Sequence, residues 1–244
     1  DGYLFSLKRW YIKAITPLLG SNSFKFIAKD LLIDANSSIN TAVMNFLSID
    51  CSTDIGSLFV KIENKTFRQT LQSDKSNNDL LMQNILDFFE EKKLILDDIS
   101  AIFVNQGPGN FSGLRGSLAT AKGISLSKNL DLYGYDTFVW SCSCSFNKEK
   151  LICSIIKFKE RYFIKKFDKN LKVLSKIEEV SVHEIEKKYE SEFKVIPENL
   201  INNFDEKILK LKNINLVSLD HNKLEFLHLK GLLDQELIKP LYLS

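Results

Sequence analysis

The chain has 244 residues, with 33 basic and 31 acidic side chains, a net charge of +2 and 44% hydrophobic residues. That length accommodates one large or two small domains with a sizeable core, and the near balance of charge argues against a strongly basic nucleic-acid binder. No apolar run reaches the ~18 residues of a membrane-spanning helix, no cleavable signal peptide is evident, and the four cysteines (Cys51, Cys142, Cys144, Cys153) form no CxxC pair. The expectation is therefore a cytoplasmic protein with reduced, partly buried thiols, no zinc site and no membrane partner.

Residues 1–43 differ in character from the rest. Leu4, Leu7, Ile12 and Ile15 mix with Lys8, Arg9, Trp10 and Lys13, which predicts a short basic amphipathic helix ended by Pro17 and Gly20. One reading is a membrane-surface or partner-binding helix. The favoured one is an unassigned N-terminal extension, with Met44 as a candidate start, because the stretch is too short to be a domain.

From Asn45 the pattern sharpens. Residues 46–50 predict a strand, 51–54 a polar turn, 56–62 a second strand and 66–71 a third. Asp50, Ser52 and Thr53 place a carboxylate and two hydroxyls at that turn, where they form a candidate vestigial phosphate site. The same residues also simply make a good turn. A helix is predicted over 77–93, capped by Ser76-Asn77-Asn78. Its apolar residues, Leu80, Leu81, Met82, Ile85, Leu86, Phe88 and Phe89, cover more than one core stripe. Either one edge is free for a partner or the helix is buried deeply in its own domain.

The run Ala101-Ile102-Phe103-Val104 predicts a buried strand. Residues 106–123, QGPGNFSGLRGSLATAKG, then hold five of the chain's ten glycines. Gly107-Pro108-Gly109 predicts a tight, stiff turn, with Ser112 as the N-cap of a helix over 112–128. Leu114, Leu118, Ala121 and Ser125 share one face of that helix. Gly116, Thr120, Gly123 and Ser127 share another that has almost no bulk, so a second helix can approach closely. Further on, strands are predicted over 130–135, 151–157, 161–167, 193–196 and 214–219, with helices over 180–190 and 205–211. The Lys/Glu run 184–192 reads as a solvated helix face.

Asp50-Cys51-Ser52-Thr53, then Gly107-Pro108-Gly109-Asn110-Phe111-Ser112-Gly113-Leu114-Arg115, then Ala119-Thr120-Ala121-Lys122-Gly123 resemble the TsaB (YeaZ) family. The family pattern is close to GPGSFTGLRIGLATAKG. Asn110 and Ser112 are mild departures from it, and Gly116-Ser117 stands where Ile-Gly is usual. Pro240-Leu241-Tyr242-Leu243 resembles the family's closing Pro-x-Tyr-Leu. The resemblance covers residues 44–244, strongly in the first half, and is absent from 1–43.

The resemblance implies an α/β chain of the two-lobed actin-like ATPase / sugar kinase fold with ribonuclease H-like lobes, divided here at 44–135 and 136–244. It implies a non-catalytic scaffold in tRNA threonylcarbamoyladenosine modification. The chain would pair with a TsaD-type catalytic subunit through the helices at 77–93 and 112–128. Leu81, Met82, Ile85, Phe89, Gly116, Thr120 and Gly123 are the candidate contact residues. Gly107, Pro108, Gly109, Gly113 and Arg115 form the motif turn. A TsaE-type ATPase is the further implied partner, tRNA is met only through the complex, and the isolated chain is expected to self-associate.

An active enzyme of the same superfold, ATP-binding or glycoprotease-like, is the alternative. Two features of the sequence weigh against it. Residues 77–93 contain no histidine, so the paired metal ligands of the glycoprotease-like relative are missing. After Tyr135 the only glycine is Gly231, so the second half lacks the loops that bring backbone amides close to a phosphate. The expectation is no catalytic residue, no metal and no cofactor. A small-residue dimerisation module of unrelated function is the third reading. Arg115 and Lys122 read either as anion ligands or as solvent-facing charges.

Overall fold

The structure, a computed structural model, describes residues 44–72 and 80–243. The expected helix within 1–43 and the cap at Ser76-Asn77-Asn78 lie outside these residues.

The first sheet is built from β1 (Phe46–Asp50), β2 (Ile55–Ile62), β3 (Lys65–Gln72), β4 (Ala101–Asn105) and β5 (Asp131–Tyr135). Their spatial order is β3-β2-β1-β4-β5, antiparallel from β1 to β3 and parallel from β1 through β4 to β5. β1 and β4 are buried along their whole length, which is why they read as nearly unbroken apolar runs. Alternation then sorts their side chains. Leu47, Ile49, Ile102 and Val104 face one way; Phe46, Phe103, Tyr133 and Tyr135 face the other.

The first of these faces is covered by α1 (Leu81–Glu91) and α2 (Phe111–Lys128). Leu81, Ile85, Phe88 and Phe89 of α1 and Leu118, Ala121 and Ile124 of α2 complete that core. α2 stops where Asn129 turns left-handed, at φ 52.

A short helix, α3 (Thr137–Cys142), leaves the first sheet. The second sheet follows: β6 (Leu151–Phe158), β7 (Arg161–Asp168), β8 (Glu178–Val180), β9 (Phe193–Pro197) and β10 (Ile214–Val217). Its order is β10-β9-β6-β7-β8, with β6 to β8 antiparallel and β6, β9 and β10 parallel. Counted from the β8 edge, this is the topology of the first sheet repeated. α4 (Val182–Lys188) and α5 (Glu206–Leu209) pack on its outer face over Cys153, Ile155, Ile164 and Ile196. Both helices are shorter than predicted. Ser181 and Glu184 form a capping box that fixes where α4 starts.

The two inner faces share one core. α3 and α6 (Asn222–Leu229) lie in it: Phe138, Trp140, Leu224 and Leu227 meet Phe46, Phe59 and Phe103 of the first sheet and Ile152, Ile156, Phe163 and Phe167 of the second. Lys165 of β7 also donates to Asp136 at 2.6 Å.

The strands fall on either side of residue 136, but the C-terminal part does not stay with the second sheet. Glu225 of α6 pairs with Lys61 of β2, His228 packs on Phe103 and Tyr133, and Gly134 bridges Asp234. The reason is packing. α1 and α2 both lie on the opposite face of the first sheet, so its inner face takes its cover from the end of the chain. Among the described residues no helix is long and apolar enough to cross a membrane.

Candidate functional site

The glycine-rich turn is held from below by Asn105, the last residue of β4. Its Nδ2 donates to Ser52 Oγ (3.3 Å) and Thr137 Oγ1 (3.1 Å), and its Oδ1 accepts from the Gly107 amide (2.8 Å). Gly107 has φ 111 and a cis bond to Pro108. Beyond it, the start of α2 sits directly on the turn after β1. The Asn110 amide donates to the Ser52 carbonyl at 2.8 Å. A Cβ on Gly109 would lie 1.9 Å from that oxygen, and one on Gly113 would lie 2.2 Å from the Cys51 carbonyl oxygen. Only glycine permits this approach.

The N-cap of α2 is Asn110, not Ser112 as the sequence suggests. Asn110 has extended backbone (φ −63, ψ 126), and its Oδ1 accepts from the Ser112 amide and hydroxyl. Ser112 is already inside the helix.

Asp50, Ser52 and Thr53 lie together on the wall of a cleft of about 1120 Å³ that also touches Arg68, Lys157 and Lys159. Their polar groups are already engaged within the chain. Asp50 Oδ1 accepts from the Ser52 amide at 2.9 Å, Ser52 Oγ accepts from Asn105, and Thr53 Oγ1 donates to the Ile55 carbonyl at 2.8 Å. Burial holds the Asp50 carboxyl above the usual carboxylate range, against its Ser52 hydrogen bonds. A carboxyl with a raised pKa holds a cation less readily than a fully solvated one.

The cleft wall also carries Ser57 and His221. Ser57 Oγ lies 3.1 Å from His221 Nε2, and His221 Nδ1 lies 3.0 Å from Ser48 Oγ, which is 3.3 Å from Tyr135 Oη. These are the atoms of a nucleophile–base pair without its electrostatics. His221 is stacked on Phe59 and packed against Trp140. Burial, helped by the Arg68 charge, pushes its pKa down to about 3. An imidazole this reluctant to accept a proton is a weak base at neutral pH, and the network reads as a satisfied polar core.

Among the described residues no group of three or more His, Cys, Asp and Glu side chains is arranged to hold a metal. Cys51, Cys142 and Cys153 are buried and Cys144 is exposed, none in a disulfide. Burial pushes the Cys51 thiol up to about 12 and that of Cys153 to about 11, so neither presents a thiolate.

The outward surface of α1 and α2 corrects part of the candidate contact set. Leu81, Ile85 and Phe89 are only 2%, 0% and 5% exposed, committed to the chain's own core. The apolar side chains facing out are Leu80 (49%), Met82 (39%) and Leu86 (45%). The wide apolar stripe splits because Met82 and Leu86 lie past one edge of the buried face Leu81, Ile85, Phe88 and Phe89, while Leu80, just before the first turn, lies past the other. On α2, Gly116 and Thr120 are half-buried and Gly123 is exposed, with nothing within 4 Å of a Cβ placed on Gly123. Arg115 and Lys122 are exposed, and Arg115 lies over the Phe111 ring at 5.1 Å.

Three residues were not singled out from the sequence: Asn105, Gln106 and Asp234. Asn105 is a polar residue closing a buried strand, which is the signal that marks it, and Gln106 opens the glycine-rich stretch that follows. Asp234 gives no such signal, because its role depends on the chain returning to the first sheet.

Three comparisons bear on this geometry. The family model described as TsaD, tRNA N6-adenosine threonylcarbamoyltransferase, matches residues 70–154. A curated relative from Buchnera aphidicola subsp. Baizongia pistaciae (strain Bp), tRNA threonylcarbamoyladenosine biosynthesis protein TsaB, is 31% identical over 84 residues, 34% of this chain and 38% of that protein. The aligned part thus spans well under half of the relative's length. Among solved structures, YeaZ from Pseudomonas aeruginosa superposes with a TM-score of 0.59 over 82% of this chain and 100% of its own, at 14% identity. A second Pseudomonas aeruginosa structure, an uncharacterized protein with similarity to peptidase YEAZ, gives 0.61 over 83% and 100%, also at 14% identity. At that identity the likeness concerns the fold alone, which is the two-lobed actin-like one. The chain is thus similar to a TsaB over 84 residues, to the TsaD family model over the motif region, and in fold to the two Pseudomonas aeruginosa structures.

Proposed function

We propose that the chain is a non-catalytic scaffold subunit of a tRNA threonylcarbamoyladenosine-forming complex, and that it pairs with a TsaD-type catalytic subunit through the outward faces of α1 and α2. The observation that carries this is the exposed face itself. Met82 and Leu86 lie open side by side on α1, and Gly116, Thr120 and Gly123 repeat at helical spacing on α2. The apolar side chains supply area to bury, and the small residues let a partner helix come close. A TsaE-type ATPase joins as a further partner, and tRNA is met only through the complex. Isolated chains self-associate through the same face, and the complex works in the cytoplasm.

The test is co-elution of this chain with a TsaD-type subunit at micromolar concentration. A one-to-one complex is expected. Met82→Asp, Leu86→Asp or Gly123→Leu is expected to weaken it tenfold or more while leaving the circular dichroism spectrum unchanged. Two folded partners that never co-elute overturn the proposal.

The cleft favours a second reading, nucleotide binding by the isolated chain. Calorimetry with ATP and magnesium separates the two: stoichiometric binding supports the second reading, and its absence is expected here.

A further inference from the structure

The last described residues do not trail off the surface. They cross the glycine-rich turn and are tied to it at several points, and most of the ties run through Gln106.

Asp234 and Gly134 exchange two backbone hydrogen bonds of 2.7 and 2.8 Å, so residue 234 extends the pairing beyond β5. Gln106 Nε2 donates to Asp234 Oδ2 at 2.7 Å. Gln106 Oε1 accepts from the Lys239 amide at 3.2 Å. The Gln106 carbonyl accepts from the Leu241 amide at 2.7 Å, while its own amide donates to the Tyr135 carbonyl at 2.8 Å. One buried glutamine, 6% exposed, thus holds both ends of the crossing segment. Ile238 is buried in the core beneath α1 and α2. Tyr242 stacks on Phe111, the first residue of α2, with ring centres 5.1 Å apart.

The glycines around the crossing leave room for it. A Cβ on Gly107 would lie 2.9 Å from the Leu241 carbonyl oxygen, and one on Gly134 would lie 2.3 Å from Gln106 Oε1.

We infer that residues 234–243 are a clasp, seated on Gln106, that fixes the motif turn and the first turn of α2 and thereby sets the position of the partner-facing helix. The pairing half of this inference rests on the proposed function; the positioning half does not. The physics is one of shared constraint. The turn at 107–109 is tethered on one side to the β1–β2 turn and on the other to the clasp. With the clasp unseated, Gly107 and Gly109 have wide backbone freedom, and the helix start they carry keeps only its contacts with Cys51, Ser52, Asn105 and Thr137. Local opening then becomes easier than global unfolding.

The variants are Gln106→Met, which keeps the bulk but removes both side-chain hydrogen bonds, and Gly134→Ala, whose methyl displaces the Gln106 carboxamide from the other side. Asp234→Ala removes the acceptor and touches no core. The readouts are amide hydrogen exchange across the whole chain and co-elution with the TsaD-type subunit.

Exchange is expected to speed up about tenfold or more at residues 107–116 and 238–243, while β6 and β7 keep the wild-type rate, and pairing is expected to weaken by a similar factor. Unchanged exchange at 107–116 overturns the inference, as does an equal rise across both sheets, which would mean ordinary destabilisation. If the turn loosens and pairing is unaffected, the pairing half falls and the proposed function stands. If the wild-type chain itself does not pair, the proposed function falls, and the exchange pattern still decides whether the clasp positions α2.

Discussion

His221 ties acid stability to one buried ring. It is 2% exposed, with both ring nitrogens bound to serine hydroxyls. Burial holds its folded pKa at about 3 against 6.5 in the unfolded chain; Arg68 pushes the same way and Asp220 opposes. Between these values the unfolded chain binds a proton and the folded chain does not, so stability falls as pH drops below 6.5. Fully expressed, the loss is on the order of 5 kcal/mol. Asp50 works in the opposite sense. Its folded pKa is raised, so its contribution favours the folded state in acid and fades as pH rises above 3.8. Urea midpoints measured from pH 7 to pH 4 should therefore shift further downward in the wild type than in His221→Gln; parallel slopes would show that His221 is not the titrating group. Lys194 is a second buried polar side chain, 0% exposed. Its ammonium donates to the carbonyls of Tyr189, Glu190 and Glu192 at 2.6, 3.1 and 2.8 Å, just beyond the end of α4. Lys194→Met leaves these carbonyls without that donor and should cost roughly 1–3 kcal/mol in a denaturant titration. An unchanged midpoint would mean that water replaces the ammonium at no cost.

At the scale of elements, the glycines of the 106–123 stretch divide into two kinds. Gly109 and Gly113 are pressed against backbone oxygens of the β1–β2 turn, whereas Gly123 faces open space. Gly113→Ala should therefore destabilise by roughly 1–3 kcal/mol or more, because backbone has to move. Gly123→Ala should stabilise by about 0.5–1 kcal/mol through helix propensity. A thermal melt that places both variants on the same side of the wild type would remove the distinction. The sequence shows the stretch as a turn followed by a helix with a small-residue face, because glycine, proline and i, i+4 spacing are local signals. It does not show which glycines touch backbone, since that depends on where Cys51 and Ser52 lie in space. The same limit explains α1. Its periodicity reveals a broad apolar surface, but the division into Leu81, Ile85 and Phe89 inside and Leu80, Met82 and Leu86 outside is set by α2 and the sheet. Strands β1, β2, β4, β6 and β7 were legible from apolar runs and alternation. Lys194 was not, because a lysine in a charged stretch carries no mark of burial.

At the scale of residues 44–243, a topology used twice becomes one cooperative body through its middle layer. Each sheet has helices of its own on the outer face, and both inner faces pack on α3 and α6, which come after residue 136. α6 supplies the missing cover from the far end of the chain: Leu224 and Leu227 are fully buried in the core that contains Phe46, Phe103, Ile152 and Phe167. A division into lobes at residue 136 therefore describes the strands but not the packing. This has a thermodynamic consequence. Leu224→Ala opens a cavity in the shared layer and should cost about 2–5 kcal/mol. If the layer couples the sheets, the loss appears equally in the slowest-exchanging amides of β1 and of β6, and fluorescence and far-ultraviolet circular dichroism report one coincident transition. If β6 keeps its protection while β1 loses it, the lobes unfold independently and the middle layer belongs to the first sheet alone. The coupled outcome is the one expected, because Trp140 of α3 sits in the same core and its Nε1 donates to the Asp220 carbonyl at 2.9 Å. Displacing α6 therefore disturbs α3, and through α3 the face of β6 on which it packs.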